Sequence, residues 1–329
     1  MITVFLVFRL PNPGGNGTMK SMKRRTKVAN SVPNEQAIKP TSDVFTAVLW
    51  SAPKNEPLLR NFINAVQANC HQPPILEATV LNPFNIKEFK EDKQIILDVH
   101  VRDEWSHRYN VEIQTAPHAG FCDRVLLQWS NTYSGVPRTG DDYAQLVPVK
   151  GIVLTAFPIF PALRNLHTIF EVRSQEDAEI LLSDHLQIHF LRLGDMLKRQ
   201  MEGLNDLCAD LRHWMYFFAF GSTVAEDKMS QLVENNPVVM AAYEEFRRFT
   251  SDAEMQSIVY RRRRFLEDQR LYVGAARAEG KAEGKAEGKA EGKAERDIEI
   301  ARNMKQKGYD LTAIAELTGL SRAEIKRLD

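Results

Sequence analysis

Two short segments that alternate apolar and polar residues with a period of two, separated by a polar turn, constrain this chain more than any other feature. Residues 95–102 read Ile-Ile-Leu-Asp-Val-His-Val-Arg and residues 109–114 read Tyr-Asn-Val-Glu-Ile-Gln. Period-two alternation predicts a β-hairpin with Leu97, Val99, Val101, Tyr109, Val111 and Ile113 on one face. Asp98, Glu112 and Gln114 then share the other. A turn centred on Trp105 pairs Asp98 with Glu112 and Ile96 with Gln114. Cross-strand neighbours have Cβ atoms roughly 4.5 to 5.5 Å apart, and like charges at that separation repel unless a cation lies between them. Mg²⁺, with Mn²⁺ as a substitute, takes hard oxygen ligands and keeps several waters. Two carboxylates on adjacent strands therefore suit a metal-dependent phosphodiester hydrolase.

The rest of the chain reads as α/β. Residues 39–69 are helical in pattern, interrupted at Pro53, and residues 76–81 are strand-like. Residues 121–134 predict an amphipathic helix carrying Val125, Leu126, Trp129 and Tyr133 on its apolar side. The nearly continuous apolar run at 149–157 is the pattern of a strand buried on both faces. Residues 166–172 and 186–193 supply two further short strands, and helical patterning follows from Gly194 onward. Within it, the Met/Phe/Trp-rich residues 211–220 are expected to be core.

Four blocks of residues, Thr41-Ser42-Asp43-Val44-Phe45, Ile96-Leu97-Asp98-Val99, Val111-Glu112-Ile113-Gln114 and Gly140-Asp141-Asp142-Tyr143, together resemble the Rpn recombination-promoting nucleases. That group of transposase-like proteins lies within the PD-(D/E)xK nuclease superfamily. The resemblance runs from about residue 39 to about residue 193. It implies a restriction-endonuclease-like core, a mixed central sheet flanked by helices, with an α-helical C-terminal extension. It also implies a metal-dependent DNA endonuclease that promotes recombination and is linked to a mobile element. In that scheme Asp98 and Glu112 hold the metal with the Ile113 carbonyl, and Gln114 orients the attacking water. The broad superfamily pattern has Lys at position 114. Gln offers a hydrogen-bond donor and acceptor but no charge, so water activation falls mostly to the metal. Asp43, at a predicted helix start, is either an N-cap or an additional metal ligand. His100 shares the polar face with Asp98, either for proton transfer or as a surface pair. Arg124, opening the next helix, is a phosphate-contacting candidate, with Lys93 and Arg102 as alternatives.

Beyond the core, residues 195–277 read as a helical extension in which Arg261, Arg262, Arg263 and Arg264 form either a solvated face or a phosphate patch. Residues 278–293 are four tandem Ala-Glu-Gly-Lys units. Their four-residue period lines Glu up with Glu and Lys with Lys, so no favourable i, i+4 pair forms, and each Gly costs a helix about 1 kcal/mol relative to Ala. Residues 278–296 are therefore expected to be a marginal helix or a flexible linker. Residues 297–329 have the spacing of a helix-turn-helix: a helix ended by Gly308, a second over 311–317, a turn at Thr318-Gly319-Leu320, and a third opened by a Ser321/Glu324 capping box. Arg322 and Lys326 lie on its recognition helix. The tail serves either DNA binding or homo-oligomer formation. A catalytically inactive protein that binds DNA or self-associates through this tail is the alternative to the nuclease.

Composition removes other classes. Lys plus Arg equals Asp plus Glu at 43 each, so whole-molecule charge makes no argument for nucleic acid and any DNA surface must be local. The apolar start, residues 1–10, lacks a leading positive region and is too short to span a bilayer, so neither a signal peptide nor a membrane anchor is expected. Six basic residues and no acid within residues 1–27 make residues 1–38 a basic, disordered arm, with Met19 or Met22 as alternative starts. Cys70, Cys122 and Cys208 fit reduced thiols in a cytoplasmic protein. No phosphate-cradling Gly-rich loop and no Gly-x-Ser-x-Gly elbow occurs, which leaves no nucleotide cofactor and no serine hydrolase. His185 and His189 lack the intervening Glu of a helical zinc site.

Overall fold

The hairpin forms in the predicted register. In the computed structural model of the chain, which describes residues 37–83, 98–117, 119–135, 143–198 and 204–328, Val99 pairs with Val111, His100 with Asn110 and Val101 with Tyr109. Continuing that ladder sets Asp98 opposite Glu112. Ile96, Lys93 and the Gly140-Asp141-Asp142 block lie outside the described residues. The turn is organised by Asp103, a residue that alternation does not single out. Its Oδ1 accepts the Trp105 and His107 amides at 3.0 and 2.8 Å, and its Oδ2 accepts the Tyr109 hydroxyl at 3.1 Å.

Helices α1 (Asp43–Ser51) and α2 (Glu56–Ala68) precede a six-stranded sheet. Its strands are β1 (Thr79–Val80), β2 (Val99–Arg102), β3 (Arg108–Gln114), β4 (Val149–Thr155), β5 (His167–Phe170) and β6 (Leu186–Leu191), with α3 (Phe121–Ser134) linking β3 to β4. The spatial order is β1-β2-β3-β4-β6-β5. The central trio β3, β4 and β6 is parallel and the outer pairings are antiparallel, which is the expected mixed sheet. β4 is buried on both faces, as its apolar run demands. Ile152 and Leu154 join the cluster with α1 and α2, and Val153 joins Phe121, Val125, Ile188 and Phe190 beneath α3.

Two local expectations are corrected. The strand predicted over 76–81 shrinks to Thr79–Val80, because side chains satisfy the backbone that a strand would have paired. Glu104 accepts the Leu76 and Glu77 amides, and Glu56 accepts that of Ala78. Leu126, placed on the apolar side of α3, is exposed. The stripe that packs is Phe121, Val125 and Trp129, at i, i+4 and i+8.

After β6 the chain turns directly into α4 (Leu193–Lys198), and Gly194 makes this possible: a Cβ there would stand 2.2 Å from the Phe157 backbone. Helices α5 (Ala209–Phe220), α6 (Glu226–Leu232) and α7 (Pro237–Ser251) then return to the α1–α2 face. Trp214 and Phe217 of α5 and Phe246 of α7 pack with Phe45, Trp50 and Phe62, so one apolar cluster includes residues on both sides of position 194. The final long helix, α8 (Ala253–Gln306), is 54 residues and passes through the Ala-Glu-Gly-Lys repeat without interruption. The repeat is exposed throughout. Helices α9 (Leu311–Thr318) and α10 (Arg322–Arg327) close a small separate core of Ala301, Ile314 and Ile325. Gly308 and Gly319 end their helices at φ of +79° and +72°, and both halves of the Ser321/Glu324 capping box are present. No described helix is long and apolar enough to cross a membrane.

Candidate active site

Glu112 sits mid-strand on the sheet face that α3 covers, and its side chain is 5% exposed. Asp98 precedes the first paired residue of β2 and reaches the same space. Each carboxylate is held by one residue of α3. Arg124 Nη2 donates to Glu112 Oε1 at 2.6 Å, and Gln128 Nε2 donates to Asp98 Oδ2 at 2.7 Å. Gln114 Nε2 also donates to Glu112 Oε1. Asn82 secures the approach from the strand edge: its Nδ2 donates to the Asp98 carbonyl and its Oδ1 accepts the His100 amide, both at 2.7 Å.

The electrostatics follow from this geometry. Burial, then repulsion from Asp98, push the Glu112 carboxyl up to about 7, against the opposing pull of Arg124 and Gln114. Partial burial also raises Asp98, with Arg124 and Gln128 opposing. Burial, then Arg108, hold the His100 imidazole below its usual range. Two repelling carboxylates in a desolvated cleft are hard donors short of positive charge. They fit a divalent cation, and Arg124 supplies part of that charge in the metal-free protein.

The sequence-predicted residues divide accordingly. Asp98, Glu112, Gln114 and Arg124 converge, and His100 lines the same cavity. Asp43 is not in the group. It lies in the first turn of α1, after the N-cap Ser42, where its Oδ1 accepts the Val44 amide and its Oδ2 accepts Arg262 Nε at 3.0 Å. Among the described residues no three His, Cys, Asp or Glu side chains gather as a metal site. Asp43 is thus engaged by Arg262 rather than by the carboxylate pair, and the 261–264 run is not a wholly solvated face, since the Arg262 side chain is only 12% exposed. Arg102 is exposed at the end of β2. In the tail, Arg322 Nη2 donates to Thr312 Oγ1 at 2.8 Å, pinning α10 to the start of α9, while Lys326 is exposed.

Gln128, Asn82 and Asn110 were missed by sequence reasoning. A usable sign existed for the first: Arg124, Gln128 and Thr132 repeat at i, i+4 and i+8 and form a polar stripe alongside the apolar stripe of α3. Asn82 gave none, since a lone Asn after a strand usually reads as a turn.

Residues 40–276 match the family described as PD-(D/E)XK nuclease family transposase, and residues 294–329 match the C-terminal helix-turn-helix domain of the Rpn/YhgA-like nuclease family. Comparison with curated proteins and with solved structures returns no match.

Proposed function

Because the chain belongs to the PD-(D/E)XK nuclease family of transposases, we propose that it is a metal-dependent DNA endonuclease centred on Asp98 and Glu112, promoting recombination in the cytoplasm. The observation that carries this reading is the carboxylate pair itself, facing one space from adjacent strands, with both carboxyls raised by burial and Glu112 raised further by repulsion from Asp98. Asp98, Glu112 and the Ile113 carbonyl would hold Mg²⁺, or Mn²⁺ in its place. A divalent cation bound there supplies Lewis acidity and lowers the pKa of water. Gln114 keeps Glu112 oriented and offers its amide oxygen to the attacking water. Arg124, on α3 beside the pair, exchanges Glu112 for the scissile phosphate, where a guanidinium forms the stronger two-point contact. Lys326 and Arg322 of the tail contact the DNA backbone away from the centre.

The test is incubation of the full chain with supercoiled plasmid in Mg²⁺ and in EDTA. Nicking or linearisation in Mg²⁺, absent in EDTA and in Asp98→Ala and Glu112→Ala, is the expected result. Unchanged cleavage in both variants would exclude this site. The Arg124–Glu112 ion pair favours a second reading, in which the guanidinium permanently replaces the metal and an inactive protein binds DNA or self-associates through its tail. Calorimetric Mg²⁺ titration separates the two: no binding at any pH supports the second.

A further inference from the structure

The carboxylate pair opens into a cavity of about 490 Å³ in all, which continues under α3 and lies inside the ~300–1,000 Å³ range of small-molecule sites. Asn110, Gln128, Trp129, Thr132 and Gly151 line it, and the hydrolysis proposed above leaves this part unused. The orientation of two amides there is set by their neighbours. Gln128 gives its N–H to Asp98, and a carboxylate cannot donate in return, so Gln128 Oε1 is turned away from it. Thr132 donates its hydroxyl proton to the Gln128 carbonyl at 3.1 Å and therefore accepts from Asn110 Nδ2 at 2.7 Å. That leaves Asn110 Oδ1 as the unused end. Both oxygens are buried without a hydrogen-bond partner, and Asn110 is only 9% exposed. Asn110 lies across the strand pair from His100, and its side chain favours the protonated form of the ring.

Two features shape the rest of the cavity. Trp129 is fixed by stacking on Tyr133 at 5.0 Å and by donating Nε1–H to the Val149 carbonyl at 2.8 Å. Opposite Asn110 on β4 stands Gly151, where a Cβ would meet only the Ile188 side chain and Cα, none closer than 3.5 Å. A larger side chain is sterically allowed there and would occupy the cavity. Apolar burial would favour filling such a space, yet it presents an aromatic wall and unsatisfied acceptors.

We propose that this cavity receives one nucleobase of the strand being cut, an amino-bearing base whose N–H groups meet Asn110 Oδ1 and Gln128 Oε1 beside Trp129. The identity of the ligand as part of the cut strand rests on the nuclease reading. Adenine, cytosine and guanine each present an exocyclic amino group, whereas thymine presents one N–H between two carbonyl oxygens that would face the acceptors. A base lodged under α3 is out of its stack, so single-stranded or unpaired DNA is the preferred substrate.

Calorimetry on the full chain with deoxycytidine monophosphate, thymidine monophosphate and 2-deoxyribose 5-phosphate, in EDTA and in Mg²⁺, tests this. The cytosine nucleotide is expected to bind roughly tenfold tighter than either of the others. Gly151→Val, which fills the cavity, and Asn110→Leu, which removes an acceptor, should abolish that difference. Equal affinity for the three probes, or a preference that survives both variants, overturns the proposal. Asn110→Leu decides alone if Gly151→Val does not fold. Plasmid cleavage is read separately: the expected nucleotide preference without Mg²⁺-dependent cleavage keeps the pocket and removes the nuclease reading.

Discussion

The Glu112 carboxyl titrates near 7 because burial and Asp98 both disfavour its charge, whereas an unperturbed glutamate titrates at 4.5. A raised carboxyl pKa means that the folded, metal-free protein keeps a proton which the unfolded chain gives up. The stability contributed is fully present below about pH 4.5 and is lost as pH rises through about 7. The melting temperature of the metal-free protein is therefore expected to fall between about pH 5 and about pH 8, and Glu112→Gln should flatten that fall. Mg²⁺ affinity should climb over the same interval, since the ligand must be deprotonated. Gln114→Lys places an ammonium where an amide now meets Glu112; it should lower the Glu112 pKa and shift the midpoint of Mg²⁺ binding to lower pH. An unmoved midpoint, read by calorimetry across pH, would show that residue 114 does not govern Glu112. At this scale the pairing of Asp98 with Glu112 was legible in the sequence, because strand alternation and register are arithmetic. The sequence left Asp43 open between an N-cap and a further ligand, because the Arg262 that engages it lies 219 residues away.

Among the elements, the hairpin depends on a residue outside both strands. Asp103 accepts two backbone amides and the Tyr109 hydroxyl, and it contacts His107 Nδ1 at 2.9 Å, all while 4% exposed. Asp103→Ala leaves these donors buried or unpaired and is expected to destabilise the fold by about 3 kcal/mol, measured by urea unfolding. A loss below about 1 kcal/mol, the size of a single net hydrogen bond, would mean water replaces the carboxylate freely. The same contrast explains which elements sequence could give. β4 and α3 are dictated by their own apolar spacing, and both were legible. β1 is short because Glu104 and Glu56 capture its backbone, a competition between distant side chains that no local pattern announces. The covering of the hairpin's polar face by α3 was likewise invisible until Gln128 and Thr132 were seen to face Asp98 and Asn110.

Over the whole molecule, the last α8 residues in the main core are Ile258 and Val259, and Arg262 adds its ion pair to Asp43. Ending the chain after Leu271 should therefore leave the melting temperature of the nuclease core unchanged. Plasmid affinity should drop if the tail touches DNA. Within the full chain, Lys326→Ala should reduce the slope of log affinity against log salt by about one unit for one lost phosphate contact. Arg322→Ala is a poorer probe, since it also releases Thr312. A tail variant that changes only the mass measured by light scattering would assign the tail to self-association.

The Ala-Glu-Gly-Lys units behave as a screw thread. One unit is four residues against a helical turn of about 3.6, so each unit advances the far end by about 6 Å and swings it by about 40°. The glycines at 280, 284, 288 and 292 touch nothing within 4 Å, so no neighbouring surface resists a change in unit number. Inserting or deleting a unit leaves both folded ends intact and re-aims one against the other, through a full circle in about nine units. The bearing of the tail is thus counted rather than packed.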